Sequence, residues 1–132
     1  MAKRISSKVA AQLVESGTWI DYGVMQCQPD VFDQALADRV NELRSVSVRA
    51  GFTVRPRAIL EVDPQNEHFH WFNWHFSGYD RKKADAGRAS YIPSNLGEIA
   101  DYYERFIEPP ELVVLKTCPI DSKGFFNFSS AK

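Results

Sequence analysis

Thr18-Trp19-Ile20-Asp21-Tyr22-Gly23-Val24-Met25-Gln26-Cys27-Gln28-Pro29-Asp30-Val31-Phe32 is the stretch that decides the fold. Residues 18–22 are rich in β-branched and aromatic side chains over a short span, which predicts a strand. Residues 23–28 read as a loop. Pro29 suits a first helical turn, and Asp30 is favourable at the positive end of a helix. Val31, Phe32, Ala35, Leu36, Val40 and Leu43 then recur at helical spacing, which predicts a helix running to about residue 43. Val46-Ser47-Val48-Arg49-Ala50-Gly51 follows as a second strand. Strand, loop, helix, strand is the grammar of a βαβ unit, and such units build parallel sheets covered by helices.

The rest of the chain continues this alternation. Ser6 or Ser7 can cap a first helix through Ala10, Ala11, Leu13 and Val14, stopped at Ser16-Gly17. Residues 55–67, with Pro56 and Pro64, form the least regular part. Residues 69–76 are strand-like, 79–86 form a charged helix closed by Gly87, and 89–92 make a short strand ended by Pro93. Ser94 or Asn95 caps a further helix with Leu96, Ile99, Tyr102, Tyr103 and Phe106 on its apolar face; Pro109-Pro110 stops it. Leu112-Val113-Val114-Leu115 reads as a buried strand. It runs into a turn at Pro119, Asp121 and Gly124, which hands over to an aromatic second strand at residues 125–129. The expected fold is α/β: one domain with an open, mostly parallel sheet and helices on both faces.

Composition narrows the function. The chain has 132 residues, 44% hydrophobic and 25% charged, which fits a globular domain with a real core. A formal net charge of -1 gives no basic field of the kind that holds nucleic acid. No apolar run follows Lys3 and Arg4, so no signal peptide is expected, and 112–115 is far too short to span a bilayer. Two well-separated cysteines, Cys27 and Cys118, fit a reducing compartment. The expected location is the cytoplasm, with neither nucleic acid nor membrane as partner.

Several segments could carry chemistry. The loop of Val24, Met25, Gln26, Cys27 and Gln28 leads from a strand to a helix N-terminus, where free backbone N–H groups suit a carboxylate or phosphate. Met25 and Cys27 could line an apolar pocket; an ordinary strand-to-helix turn is the other reading. Nucleotide-binding glycine patterns are absent. His68 and His70 would share a strand face, but no further ligands sit at metal spacing, so no metal is expected. Ser77 and Gly78 form another strand-to-helix turn, followed by Arg81, Lys82 and Lys83, which suit either phosphates or a solvated face. Cys118 has no recognisable activating base. Asn127, polar among aromatics, faces a ligand or caps a strand.

The residues also carry a resemblance. Gly17-Thr18-Trp19-Ile20-Asp21-Tyr22-Gly23, Pro29-Asp30 and Ala35-Leu36-Ala37-Asp38-Arg39 look like the start of the acetyl-CoA hydrolase/transferase family. Within it they are similar to the butyryl-CoA:acetate and 4-hydroxybutyrate CoA-transferases. Trp74-His75-Phe76-Ser77-Gly78 with Arg81-Lys82, Gly87-Arg88, Tyr91-Ile92-Pro93, Glu98, Tyr102-Tyr103, Pro119-Ile120-Asp121 and Gly124-Phe125-Phe126-Asn127-Phe128 continue the likeness in order.

The resemblance implies transfer of CoA between a short-chain acyl-CoA and acetate or a similar acid. A glutamate attacks the thioester, and an enzyme glutamyl-CoA thioester is exchanged with the acceptor acid. CoA and acyl-CoA are substrates, and no permanently bound cofactor is implied. In the family that glutamate lies in the second half of a chain about three times this long. Glu15, Glu61, Glu98 and Glu104 do not match its motif. Residues 1–132 therefore look like the first part of the N-terminal domain, expected to be inactive alone, and no catalytic residue is assigned. The expected substrate-binding residues are Val24, Met25, Gln26, Cys27, Gln28, Ser77, Gly78 and Asn127. Self-association through an unpaired strand edge, or pairing with a C-terminal half, is expected. The alternative is a non-catalytic acyl/CoA-binding module, or one subunit of a split CoA-transferase or acetyl-CoA hydrolase.

Overall fold

A computed structural model describes residues 3–128 of the chain. Ser129, the end of the aromatic segment read above, lies outside them. Five strands form one sheet: β1 (Trp19–Tyr22), β2 (Val46–Ala50), β3 (Phe69–Asn73), β4 (Ser90–Tyr91) and β5 (Leu112–Val114). Their spatial order is β4-β3-β2-β1-β5, and all four neighbouring pairs are parallel. Helices α1 (Ser7–Ala11), α2 (Asp30–Ala37), α3 (Ala58–Val62), α4 (Gly78–Asp85) and α5 (Ile99–Arg105) lie between and before the strands. The α/β architecture expected from the alternation is what is found.

The register explains which face is the core. Ile20 lies beside Val48, and Val48 beside Trp71, so their side chains form one row on one face. That row, with Tyr22, Val46 and Phe69, packs against Ala11, Phe32, Leu36, Ile59 and Leu60 from the first three helices and against Val14 just after α1. Trp71 meets Tyr22 edge-on at 6.0 Å between ring centres, and Tyr22 meets Phe32 at 6.1 Å. Each large apolar side chain buried here stabilises the fold by roughly 1.5–3 kcal/mol.

The opposite face carries Trp19, Asp21, Arg49 and Phe72. Arg49 is buried there, its Nε donating to Asp21 Oδ1 at 2.6 Å and its guanidinium 5.0 Å from the rings of both Trp19 and Tyr103. Tyr103 of α5 also donates its hydroxyl to Asp21. These contacts hold α5 over this second face, so helices cover both.

The structure corrects several boundaries. The first helix ends at Ala11, capped at its start by the Ser6 hydroxyl, although Val14 beyond it is buried. Helix α2 ends at Ala37, not near residue 43. Arg39 instead turns back to the carbonyls of Ala11 and Val14 at the end of the first helix. Residues 55–67 are not irregular throughout, because they contain α3. Its N-terminus is fixed from outside, by the Asp33 carboxylate accepting from Ala58 N at 2.6 Å. Strand β3 stops at Asn73 rather than at residue 76.

The 112–115 segment is not a buried strand: β5 is an edge strand, with Val113 and Leu115 exposed. The aromatic second strand is reduced, among the described residues, to a single antiparallel bridge between Thr117 and Phe128. Leu96 and Phe106 are exposed rather than on a buried helix face, and Leu96 sits in a separate 3-10 turn capped by Asn95. Among the described residues no helix is long and apolar enough to cross a membrane.

Candidate functional site

From β1 the chain builds the sheet in one direction, through β2, β3 and β4. It then returns to place β5 on the other side of β1. The gap between the carboxyl ends of β1 and β5 is therefore the topological switch point, where open α/β sheets bind ligands. The loop at residues 23–28 leaves β1 at this point.

Its shape depends on close approach. A Cβ on Gly23 would lie 2.4 Å from the Cys27 carbonyl oxygen, so only glycine lets the loop fold back on itself. The return is a 3-10 turn over Met25–Cys27, with Met25 at φ +51°, a left-handed conformation that L side chains adopt only when surroundings impose it. Met25 N donates to Gly51 O at 3.1 Å, beyond the end of β2. A Cβ on Gly51 would lie 2.7 Å from Val24 Cγ1, so a second glycine seats the loop against β2. From the other side, Gly23 N donates to Val114 O at 3.0 Å and Lys116 N to Cys27 O at 2.8 Å. Neighbours on both sides thus hold the loop. Val24, Met25 and Gln26 are exposed at its tip, and Cys27 and Gln28 are buried at its base.

Beneath the loop lies a charged cluster that the sequence did not announce. Asp30, at the start of α2, takes Arg57 Nη2 at 2.7 Å on one oxygen, and Lys116 Nζ at 2.8 Å and Arg55 Nη1 at 3.2 Å on the other. Burial works to raise the Asp30 pKa, but hydrogen bonds from Lys116 and Arg57 outweigh it and hold the carboxyl below 3.8. Lys116 makes its contact from the segment after β5, so the ion pair also ties that segment to α2. Gln28 Oε1 and Arg57 Nη1 are buried with no hydrogen-bond partner among the described residues. Buried polar atoms of this kind ordinarily meet a water or a ligand group.

Asp33, one helical turn on, behaves differently. It accepts from Tyr22 Oη at 3.3 Å, and burial pushes its pKa up from 3.8 to about 6, against the pull of the Arg57 charge. A carboxyl with a raised folded-state pKa binds more protons when folded than when unfolded, so stability falls as pH rises. The window is about pH 4 to 6, and two units correspond to roughly 3 kcal/mol. Asp33→Asn, which keeps an acceptor for Ala58 N, should remove this fall. In denaturant titrations the variant should gain about 3 kcal/mol on the native protein between pH 4 and 7. Parallel pH curves for the two proteins would refute the assignment. The lowered pKa of Asp30 works in the opposite sense, its contribution being lost as pH drops below about 4.

The other expected residues are more dispersed. Ser77 and Gly78 follow β3, two strands away from β1. The Ser77 hydroxyl is engaged as the cap of α4, accepting from Tyr79 N at 3.2 Å and Asp80 N at 3.3 Å. Asn127 is exposed on the return segment after β5, its carbonyl accepting from Cys118 N at 3.0 Å. Lys83 is paired with Glu61 at 2.9 Å. His68 Nδ1 lies 2.8 Å from the Leu43 carbonyl, while His70 Nδ1 lies 3.4 Å from Asn66 Nδ2, so the two rings engage separate local partners. The residues that sequence reasoning missed are Asp30, Arg55, Arg57 and Lys116 acting together. The only available signal was the Arg55-Pro56-Arg57 pair of cations just beyond a strand.

The profile of the acetyl-CoA hydrolase/transferase N-terminal domain matches residues 1–131. The chain belongs to this family. It is 35% identical over 119 residues to the butyryl-CoA:acetate CoA-transferase of Anaerostipes caccae, covering 90% of this chain and 27% of that protein. It is 35% identical over 131 residues to a probable butyrate:acetyl-CoA coenzyme A-transferase of Syntrophomonas wolfei, covering 98% of this chain and 29% of the relative. The chain thus spans under a third of the length of these two relatives. Among solved structures, RipA from Yersinia pestis superposes with a TM-score of 0.71 at 17% identity, over 92% of this chain and 30% of RipA. A RipA variant gives 0.76 at 19% identity, over 94% of this chain and 30% of the variant. These structures share the fold, and the family assignment places the sheet's switch point in an acetyl-CoA hydrolase/transferase N-terminal domain.

Proposed function

We propose that the chain forms one wall of the acyl pocket of an acyl-CoA:carboxylate CoA-transferase, which moves CoA between a short-chain acyl-CoA and acetate or a similar acid. The observation that carries this is the position of the 23–28 loop at the switch point of the sheet, gripped by both neighbouring strands. Val24 and Met25 offer apolar contact to an acyl chain, with Gln26, Cys27 and Gln28 completing the loop. Ser77, Gly78 and Asn127 are assigned as further substrate contacts. CoA and acyl-CoA are substrates in this scheme, and the nucleophilic glutamate comes from residues other than these 132.

Two methylenes separate a butyryl from an acetyl chain. At about 0.8 kcal/mol each, their burial against the loop favours butyryl-CoA by up to about 15-fold. Calorimetric titration of the chain should show tighter binding of butyryl-CoA than of acetyl-CoA, with most of the difference lost in Met25→Ser. Transfer of CoA from butyryl-CoA to acetate should not occur with this chain alone. Equal binding of the two thioesters would remove the loop from the acyl pocket, and turnover by the chain alone would place a nucleophile within it.

A further inference from the structure

The connection from β3 to α4 leaves the same end of the sheet as the 23–28 loop, and it carries charge that the fold does not answer. There a cavity of about 290 Å³ is lined by His75, Phe76, Arg81 and Tyr91. Neither the His75 ring nitrogens nor the Arg81 guanidinium has a hydrogen-bond or ion-pair partner among the described residues. By contrast, Arg49, Arg57 and Lys83 each reach a carboxylate. No carboxylate lines the cavity among the described residues.

The walls are built firmly. The His75 ring lies 5.2 Å from that of Phe52, whose φ of +46° is a left-handed conformation costly for a bulky residue. That conformation is held by Phe52 N, which donates to His75 O at 2.8 Å and to the buried Asn73 Oδ1 at 3.3 Å. On the other side, Phe76 meets Tyr91 edge-on at 5.3 Å between ring centres. An edge-on pair leaves a ring face open, and a flat base stacks on such a face.

Two donors without a counter-charge favour an anion, and a phosphate accepts from several donors at once. Aromatic rings beside them favour a nucleotide. Strands lie about 4.8 Å apart, so the end of β3 stands roughly 10 Å from β1. An extended pantetheine arm covers that span, with the thioester at the 23–28 loop and the nucleotide beyond β3.

We infer that this cavity takes the phosphate-bearing adenosine end of CoA. Arg81 and His75 donate to phosphate, and the Phe76–Tyr91 pair meets the base. The identity of the ligand rests on the CoA-transferase reading above.

Adenosine 3′,5′-bisphosphate carries this end of CoA without the arm or the acyl group, so it isolates the site. Added to the chain, it should shift the C2 proton resonance of His75 and leave those of His68 and His70, which hold local partners. Calorimetry should show Arg81→Gln weakening its binding about 10-fold, the worth of one charge-assisted contact, and Met25→Ser leaving it unchanged. Arg81 is exposed on α4, so the variant should keep the native far-UV spectrum. Inorganic phosphate should bind more weakly than the bisphosphate. Three results would overturn the inference: a bisphosphate that moves no His75 resonance, an unchanged affinity in folded Arg81→Gln, or inorganic phosphate bound as tightly as the bisphosphate, which would make this a site for free phosphate. If one of these occurs while butyryl-CoA still binds more tightly than acetyl-CoA, the acyl pocket stands and this site alone falls.

Discussion

Replacing Asp80 by alanine is expected to cost about 5 kcal/mol, enough to unfold much of the population of a domain this size. Asp80 is fully buried. One carboxylate oxygen accepts from Thr53 Oγ1 at 2.6 Å and from the Trp71 indole Nε1 at 3.1 Å. The other accepts from Ser77 N at 2.9 Å and from Thr53 N at 3.1 Å. The side chain thus joins the segment after β2, the middle of β3 and the start of α4. Alanine would take this partner from two backbone donors, the Thr53 hydroxyl and the indole N–H in a buried site, at about 1–3 kcal/mol for each donor left unpaired, and would open a small cavity as well. Asp80→Asn keeps the volume but turns one acceptor into a donor, so it should lose about half as much. Urea unfolding followed by tryptophan fluorescence and far-UV dichroism would measure both. A loss below about 1 kcal/mol for Asp80→Ala would show that the network is dispensable. The same network fixes Ser77, so loosening it should also disturb any ligand contact made there.

Asp80 also marks where the sequence stops being legible. The stretch from Tyr79 to Ala86 reads as a charged, solvated helix, and only the spacing of a capping box with Ser77 sets Asp80 apart from Asp85. Only the fold brings Trp71 and Thr53 to it. The same holds for Asp30, whose partners Arg57 and Lys116 are 27 and 86 residues away. By contrast, β1, the 23–28 loop, the start of α2 and β2 are all visible in the chain, because apolar alternation, a glycine break and helical periodicity follow one another without conflict. Strand β5 was misjudged as buried because a short apolar run looks the same at a sheet's edge as at its centre. Helix α3 was missed because five residues are too few to show a period, and its start is set by Asp33 rather than by a local cap. What the sequence shows of the candidate site is the loop itself. What it hides is everything that holds the loop in place.

Gly23→Ala tests that holding directly, and is expected to cost about 3–5 kcal/mol, at or beyond the upper end of ordinary overpacking. The added Cβ would sit 2.4 Å from the Cys27 carbonyl oxygen and 2.9 Å from the Cys27 carbonyl carbon and Cβ. No rotamer change can relieve it, because most of the clashing atoms are backbone. Nor can Cys27 simply retreat, since its carbonyl accepts from Lys116 N at 2.8 Å and its own N–H donates to Val24 O at 2.9 Å. Relief therefore requires the loop to peel away from β5, which would break the contact that closes the switch point. Hydrogen exchange should quicken at the amides of Gly23, Cys27 and Lys116, while those of β2 and β3 fall only with global stability. Gly78→Ala is the matched control: nothing lies within 4 Å of the added methyl, and alanine favours the first turn of α4, so stability should hold or rise slightly. If Gly23→Ala unfolds within 1 kcal/mol of the native protein, the loop has room that this geometry denies it. If stability falls as expected, the preference for butyryl-CoA should vanish with it, because Val24 and Met25 are positioned by the turn that Gly23 permits.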